Sequence, residues 1–209
     1  MPCVDSPLLV ACEVRALASA QHLLLHSDSS ACVADEYGMQ PLHWLAMHGA
    51  SELMVTVLKR DAEVDATNSS LQTPLHLALM RGELACSLVL LDAGASPSLL
   101  DGERRNALHL AMQYMIEPSE STLLLLRLLQ LDASLVGSVD ADKRTPLHWA
   151  CGKNALPCVN AILTSAAIHA HAPTCRLHPY AYTHRRGITY IHTYIRMCTH
   201  VHACTGVSR

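Results

Sequence analysis

Hydrophobic and polar positions repeat along most of the chain with a unit of about 33 residues. Each unit contains two apolar stretches about ten residues apart. The first stretches contain Leu42, Leu75, Leu108 and Leu147, which are 33, 33 and 39 residues apart. The second stretches cover 53–58, 84–91, 123–129 and 159–163. Apolar residues spaced three and four apart line one face of a helix, so each unit predicts an inner and an outer helix.

Helix boundary signals support this pairing. Proline stands at the first predicted helical position in three units, where its missing N–H costs nothing. The residue in front of the inner helix, in chain order, is Gln40, Thr73, Asn106 or Thr145. The threonines predict side-chain N-caps. Gly49 and Gly82 follow two of the inner helices and predict their ends.

The motif T-P-L-H at Thr73–His76, repeated with small changes at this period, resembles the ankyrin-repeat family. The resemblance implies an all-α solenoid of helix-turn-helix units joined by short β-hairpin loops. Four repeats are predicted, over residues 35–64, 65–100, 101–139 and 140–166. Residues 1–34 carry helical composition without the motif, which is typical of a degenerate N-terminal capping repeat.

The sequence departs from the family pattern at two places, and each departure leads to a structural prediction. The turn glycine that Gly38 supplies in the first repeat is replaced by Leu71 in the second, which puts the tightness of that hairpin in doubt. The third repeat has six extra residues. Because Pro118 interrupts a helix, most of this insertion is predicted to be a longer loop between the helices, with Ser119 or Ser121 as the next N-cap.

Residues 167–209 are predicted to be a low-complexity tail, either disordered or mistranslated. From Tyr190 to Thr205, Tyr, His, Arg and Cys alternate with Ile, Thr, Met, Val and Ala. Alternation with a period of two is typical of a half-buried strand. The two sets also separate by codon chemistry, as a translated purine–pyrimidine repeat would, and we favour that interpretation. The Cys and His residues at 198–204 are therefore not assigned a metal.

Composition narrows the class of protein. The formal net charge is −3 with no basic stripe, which argues against a nucleic-acid partner. No stretch has the roughly 20 uncharged apolar residues that span a bilayer, and the N-terminus lacks a secretory pattern. We therefore expect an intracellular, cytoplasmic chain without membrane insertion. Nine scattered cysteines without a C-x-x-C pair indicate no disulfide framework, and Cys86 and Cys158 are expected to be buried.

The histidines of the repeated motif are the most conspicuous candidates for chemistry. They are His43, His76, His109 and His148. Copies separated by one repeat lie about 10 Å apart, too far to share one metal ion. The family resemblance implies a structural role, with each histidine bonding the turn of a neighbouring repeat. No catalytic triad or phosphate-binding loop is present, so we predict no enzymatic activity, cofactor, metal site or small-molecule substrate.

The resemblance instead implies a protein partner, bound through hairpin tips and the exposed side of the inner helices. Trp44 has two interpretations, packing against the next repeat or partner recognition, as has Trp149. The predicted contact residues are Glu36, Tyr37, Met39, Trp44, Met47, His48, Gln72, Met80, Arg81, Glu103, Arg105, Gln113, Tyr114, Asp142, Arg144 and Lys153.

A narrower resemblance offers an alternative. The stretch Ala95–Glu103, followed by Leu108–Ala111, is similar to the ankyrin region of DHHC-type S-acyltransferases. Those enzymes transfer palmitate to cysteine through a zinc-bound catalytic domain between membrane spans. This sequence contains no D-H-H-C motif, and the substrate-reading tryptophan of that family would fall at Leu77. The resemblance therefore implies a substrate-recruiting fragment without its membrane catalytic domain.

Overall fold

A computed structural model describes residues 6–26, 30–60, 62–114 and 118–170. The described part is helical and turn-connected, with no strand assigned within it. The inner helices are α1 (Pro7–Glu13), α3 (Pro41–His48), α5 (Pro74–Arg81), α7 (Ala107–Tyr114) and α9 (Pro146–Gly152). The outer helices are α2 (Leu17–His26), α4 (Ser51–Leu58), α6 (Leu84–Asp92), α8 (Pro118–Leu131) and α10 (Leu156–Ala170). A short 3₁₀ helix, Ala133–Gly137, follows α8.

The helices form two layers of a solenoid. Each inner helix contacts the inner helix of the next unit, from α1 through α9, and the outer helices contact one another in the same order. Leu42, Leu75, Leu108 and Leu147 are all buried between the layers. The predicted all-α ankyrin-type architecture is therefore confirmed, because the repeated leucine lies on the seam where neighbouring units exclude water.

Side-chain N-caps start α5 and α7, and the predicted glycines end α3 and α5. Thr73 Oγ1 accepts a hydrogen bond from the His76 N–H, and Asn106 Oδ1 accepts one from the His109 N–H. Gly49 and Gly82 end α3 and α5 in the left-handed region, at φ 73° and 75°. Glycine adopts that conformation without a Cβ clash, which is why the chain reverses there into the outer helix.

One hairpin-like turn precedes each of α3, α5, α7 and α9 and uses the same hydrogen bonds in all four repeats. An aspartate or asparagine Oδ1 accepts two backbone N–H groups, from the residues two and four positions later. These acceptors are Asp35, Asn68, Asp101 and Asp140. Adjacent turns are joined by Ser69 N–H to Tyr37 O, Gly102 N–H to Ser70 O and Ala141 N–H to Glu103 O. The turns therefore stack in register with the helices.

Leu71 does not loosen its hairpin, contrary to the sequence expectation. It adopts φ 58° at the position where Gly38 has φ 74°, and the turn keeps its Leu71 N–H to Asn68 O bond at 2.9 Å. Arg104 and Lys143 occupy the same left-handed position in the next two repeats. The stacked neighbours hold the turn closed, and the non-glycine residues bear the strain of a left-handed backbone.

The insertion in the third repeat lies mainly in a helix, so the predicted lengthened loop and the N-cap at Ser119 or Ser121 are wrong. Helix α8 begins at Pro118 and has 14 residues, whereas α4 has 8 and α6 has 9. Proline at the first helical position needs no hydrogen-bond acceptor for its nitrogen, so it starts the helix here. The extra residues lengthen the outer face of this repeat.

Both ends of the array are helical. The leading unit is two helices, α1 and α2, separated at Arg15, which has φ 58°. At the other end, α10 extends to Ala170, four residues beyond the predicted end of the last repeat. The remainder of the predicted tail, including the Cys and His residues at 198–204, lies outside the described residues.

Candidate functional site

The motif histidines connect neighbouring repeats. The Nδ1 atoms of His43, His76 and His109 accept the backbone N–H of the residue before the helix, at 3.1, 3.0 and 3.4 Å. For His43 and His76 this leaves the proton on Nε2, which donates to Gln72 O in the following repeat at 3.2 Å and to Leu99 O at the end of the second repeat at 3.1 Å. The Nε2 atom of His109 lies 3.1 Å from Arg144 O in the following repeat, and its Nδ1 also lies 2.7 Å from Asn106 Oδ1.

Burial keeps these three imidazoles neutral. Their exposed fractions are 0–1%, and desolvation lowers the pKa of His43, His76 and His109 below 6.5, outweighing the carbonyl bonds that raise it. An imidazolium would lose the Nδ1 acceptor that binds the N-cap amide. The structural role that the family resemblance implied is therefore confirmed for His43, His76 and His109.

A groove opens between the first two full repeats on the inner-helix side. It encloses a cavity of about 460 Å³. Seven of the predicted contact residues line it, together with two that were not predicted. The lining residues are Tyr37, Met39, Trp44, Met47, Asn68, Gln72, Leu77, Met80 and Arg81. We call this site the methionine groove.

Two amides run along the base of the methionine groove. Asn68 Nδ2 donates to Met39 Sδ at 3.4 Å and to Gln72 Oε1 at 3.1 Å. Gln72 Nε2 donates to Met80 Sδ at 3.5 Å. The groove thus combines polarisable thioethers and an indole with two amides, a surface that adapts to apolar side chains and still offers hydrogen bonds.

Arg81 contributes an unpaired charge at the groove. Its side chain is exposed in the last turn of α5. Within residues 6–26, 30–60, 62–114 and 118–170, no carboxylate lies within ion-pair distance of Arg81. A ligand carboxylate there would not compete with an internal partner.

The third and fourth repeats place arginines where the first two have Met39 and Gln72. The Arg105 Nε and Nη2 atoms donate to Asp101 Oδ2 at 2.9 and 2.8 Å, and both side chains are buried. The Arg105 Nη1 atom lies 3.1 Å from Glu103 and 3.3 Å from Gln113 Oε1. Arg105 is therefore enclosed by its own repeat, whereas the sequence placed it among exposed contact residues.

Arg144 forms a related but more exposed cluster. Its Nε lies 3.1 Å from Asp140 Oδ2, and its guanidinium carbon lies 4.2 Å from the Trp149 ring centroid. Trp149 Nε1 donates to the same Asp140 oxygen at 3.2 Å. Burial raises the pKa of Asp140, but hydrogen bonds from Arg144 and Trp149 outweigh it and lower the pKa overall. Trp149 thus packs within its own repeat.

Trp44, at the equivalent position, has a different environment. It lines the methionine groove, and its ring stacks on His48 with centroids 6.1 Å apart. His48 Nε2 lies 3.2 Å from the Glu13 carbonyl oxygen. The indole N–H of Trp44 is buried and has no hydrogen-bond partner among the described residues. The two tryptophans therefore have different surroundings, since Trp44 lines the methionine groove and Trp149 contacts Asp140 and Arg144 of its own repeat.

The remaining predicted contact residues lie outside the groove lining. Glu36, Glu103, Asp142 and Lys153 are exposed, and Gln113 and Tyr114 are half-buried in the third repeat. Sequence reasoning missed Asn68 and Leu77. The repeat period places Asn68 at the hairpin position of Asp35 and Leu77 at the position of Trp44. The period could therefore have identified both as contact residues.

Other chemistry in the described part is limited. Cys86 and Cys158 are buried as predicted, and burial raises the pKa of the Cys86 thiol to about 12. In the described ranges, no three histidine, cysteine or acidic side chains are grouped to hold a metal. None of the helices formed by these residues is long and apolar enough to cross a bilayer.

Family models match most of the described array. A model of ankyrin repeats in three copies matches residues 8–101, and a single ankyrin-repeat model matches residues 142–172. The first match includes α1 and α2, the unit without the T-P-L-H motif.

Curated relatives align over the same region. Palmitoyltransferase ZDHHC13 of Homo sapiens is 29% identical over 163 residues, covering 64% of this chain and 26% of that protein. The Mus musculus protein of the same name is 29% identical over 211 residues, covering 74% and 34%. B-cell lymphoma 3 protein of Homo sapiens is 33% identical over 156 residues, covering 70% and 33%. The chain thus spans about a quarter to a third of the length of these relatives.

Proposed function

Because this chain belongs to the ankyrin-repeat family, we propose that it is a non-catalytic interaction module that binds an extended segment of a partner protein in the methionine groove. The observation that carries the proposal is the groove itself, an open, apolar-lined cavity of about 460 Å³ between two inner helices. Ankyrin arrays present this side to partners, and concave apolar sites with a few polar groups are typical ligand sites.

The lining specifies the chemistry of the bound segment. A large apolar side chain fits among Met47, Met80 and Trp44, where thioethers adapt to its shape. The amides of Asn68 and Gln72 supply hydrogen bonds for the main chain of the segment. Arg81 favours a carboxylate close to the apolar anchor. The segment is therefore apolar at its anchor and acidic beside it.

A peptide library tests this proposal directly. Ten-residue peptides that combine one large apolar residue with an acidic residue at varied spacing are titrated against the full chain. We expect the selected peptides to lose at least tenfold in affinity with Tyr37→Ala, which opens the mouth of the groove, and with Arg81→Glu, which repels the carboxylate.

Arg104→Glu is the matched control for Arg81→Glu. Arg104 is exposed at the hairpin of the third repeat, outside the groove lining. The Arg104→Glu substitution makes the same change in charge as Arg81→Glu but lies outside the groove. Peptide affinity should therefore stay close to that of the unmodified chain. Equal losses for Arg81→Glu and Arg104→Glu would reduce the effect to overall charge and would contradict binding in the methionine groove.

A second function, recruitment of substrates for protein S-palmitoylation, is favoured by the similarity to palmitoyltransferase ZDHHC13. Under this proposal the array is the recruiting arm, and the transfer chemistry lies in a membrane domain. Sequencing the transcript downstream of codon 166 tests it. Continuation into membrane-spanning segments with a D-H-H-C motif supports recruitment, whereas a stop codon directly after the array contradicts it.

A further inference from the structure

Two methionines of the groove differ from the other described methionines in their access to solvent. Met47 in α3 and Met80 in α5 occupy equivalent positions one repeat apart, and both are half-buried where they line the open cavity. Met54 and Met112 are buried in the core, with exposed fractions of 0% and 3%. A small dissolved oxidant therefore reaches the first pair without any opening of the fold.

We propose that Met47 and Met80 form a peroxide-sensitive modification site, and that oxidation to the sulfoxide changes the groove from an apolar to a polar receptor. The thioether sulfur attacks one oxygen of hydrogen peroxide. A sulfur–oxygen bond forms as the oxygen–oxygen bond breaks, and the departing hydroxide takes up the remaining proton to leave as water. Each sulfur loses two electrons, and each peroxide is reduced by two.

The groove is arranged to hold the product. Gln72 Nε2 already lies 3.5 Å from Met80 Sδ. A sulfoxide oxygen is a much stronger acceptor than a thioether, so this amide donates to it once it forms. The sulfoxide oxygen thus has a hydrogen-bond donor within the groove. An apolar anchor that enters afterwards must displace that bond or bury a polar oxygen, and it binds more weakly.

The regulatory part of this inference rests on the proposed function, whereas the oxidation itself does not. The full chain is treated with graded hydrogen peroxide, and sulfoxide is quantified at each methionine by fragmentation mass spectrometry. We expect Met47 and Met80 to oxidise at least about tenfold faster than Met54 and Met112, because the core pair reacts only after local opening. Similar rates for all four residues would overturn the proposal.

The change in groove polarity is read from Trp44. Trp149→Phe leaves Trp44 as the one fluorescent indole, since the sequence has two tryptophans. Peroxide should shift its emission to longer wavelength as the sulfoxide dipoles form beside it. In the same background, Met47→Leu with Met80→Leu keeps the groove apolar and removes its two half-buried sulfurs. Met39 remains in the lining but is buried, with 7% exposed, so the emission of this variant should not shift.

Two results would overturn the polarity switch. One is an equal emission shift in the double leucine variant, because the signal would then arise elsewhere. The other is loss of helical circular dichroism in step with oxidation, because peroxide would then act by unfolding. These readouts need no partner, so the peptide titration of the unoxidised chain can fail while the oxidation result stands.

Discussion

The inner-helix faces of the first two full repeats and of the last two share one backbone plan but present different surfaces. One residue per repeat, just before the N-cap position, makes the difference: Met39, Gln72, Arg105 and Arg144. In the first pair this position lines an open groove. In the second pair it is a guanidinium bound to the aspartate four residues earlier. The comparison shows that all repeats of a solenoid can share one hairpin geometry while individual repeats present either an open groove or an ion-paired surface.

The ion-paired half should lose the most stability when its pair is broken. Arg105→Met copies the residue of the first repeat and leaves the buried Asp101 carboxylate without its partner. A buried charge with no counter-ion costs about 3–5 kcal/mol. Urea unfolding followed by circular dichroism measures the loss.

Arg144→Met is the control for this substitution. The Arg144 side chain is 39% exposed, compared with 6% for Arg105. The two carboxylates are buried alike, with 2% of the Asp140 side chain and 1% of the Asp101 side chain exposed, but Asp140 keeps the hydrogen bond from Trp149 Nε1, so the loss should be smaller. Equal losses at the two sites would mean that the Trp149 hydrogen bond does not compensate for the missing guanidinium.

Acid should weaken both halves through the histidines they share. The folded pKa values of His43, His76 and His109 lie below 6.5, so the unfolded chain takes up more protons between those values and pH 6.5. Stability is complete above pH 6.5 and falls as the pH drops towards the folded pKa values. The loss is up to about 1.4 kcal/mol per histidine for each pH unit.

Unfolding free energies measured from pH 7.5 to 5 test this dependence. His76→Leu removes one of the three titrations and should reduce the slope by about a third, although it also lowers stability at every pH because Leu99 O loses its donor. An unchanged slope would show that the imidazole is not titrating between the folded and unfolded states.

Replacing Met39 with arginine is the reverse of Arg105→Met and should close the methionine groove. Met39→Arg places a guanidinium beside Asp35 in the arrangement of Arg105 and Asp101, with the cavity available for the longer side chain. We expect peptide affinity at the methionine groove to fall at least about tenfold, or 1.4 kcal/mol, with less than about 1 kcal/mol change in folding stability. Affinity is measured by the peptide titration described above, and undiminished binding would place the peptide elsewhere.

The smallest effect concerns the hairpin turns. Leu71→Gly relieves a left-handed leucine and should stabilise the chain by about 0.5–1 kcal/mol, the strain released less the added flexibility of glycine. Lys143→Gly, at the same turn position of the fourth repeat with φ 61°, should give a similar gain. Thermal unfolding compares the two variants. A gain in one half alone would show that the turns are not equivalent.

Much of this molecule followed from the sequence because its signals are local and periodic. The P-L-H motif predicted where inner helices begin, and Gly49 and Gly82 predicted where two of them end. The family resemblance placed Tyr37, Met47 and Met80 among the expected partner contacts, and all three line the groove. The helix start at Pro118 was missed because proline has the same sequence appearance as a helix breaker and as a first helical residue, and only its neighbours decide between the two.

The sequence by itself determined the repeat unit and its buried leucines, since both depend on spacing within one or two repeats, and the family resemblance supplied the structural role of the motif histidines. Only the tertiary structure decided which inner faces are open. The spacing of Asp101 and Arg105 suggests a pair but does not reveal that both are buried, and the sequence does not show that Trp44 lines an open groove whereas Trp149 packs on Arg144. Exposure depends on the side chains that the neighbouring repeat brings to the same space, which the chain fixes only when the repeats stack.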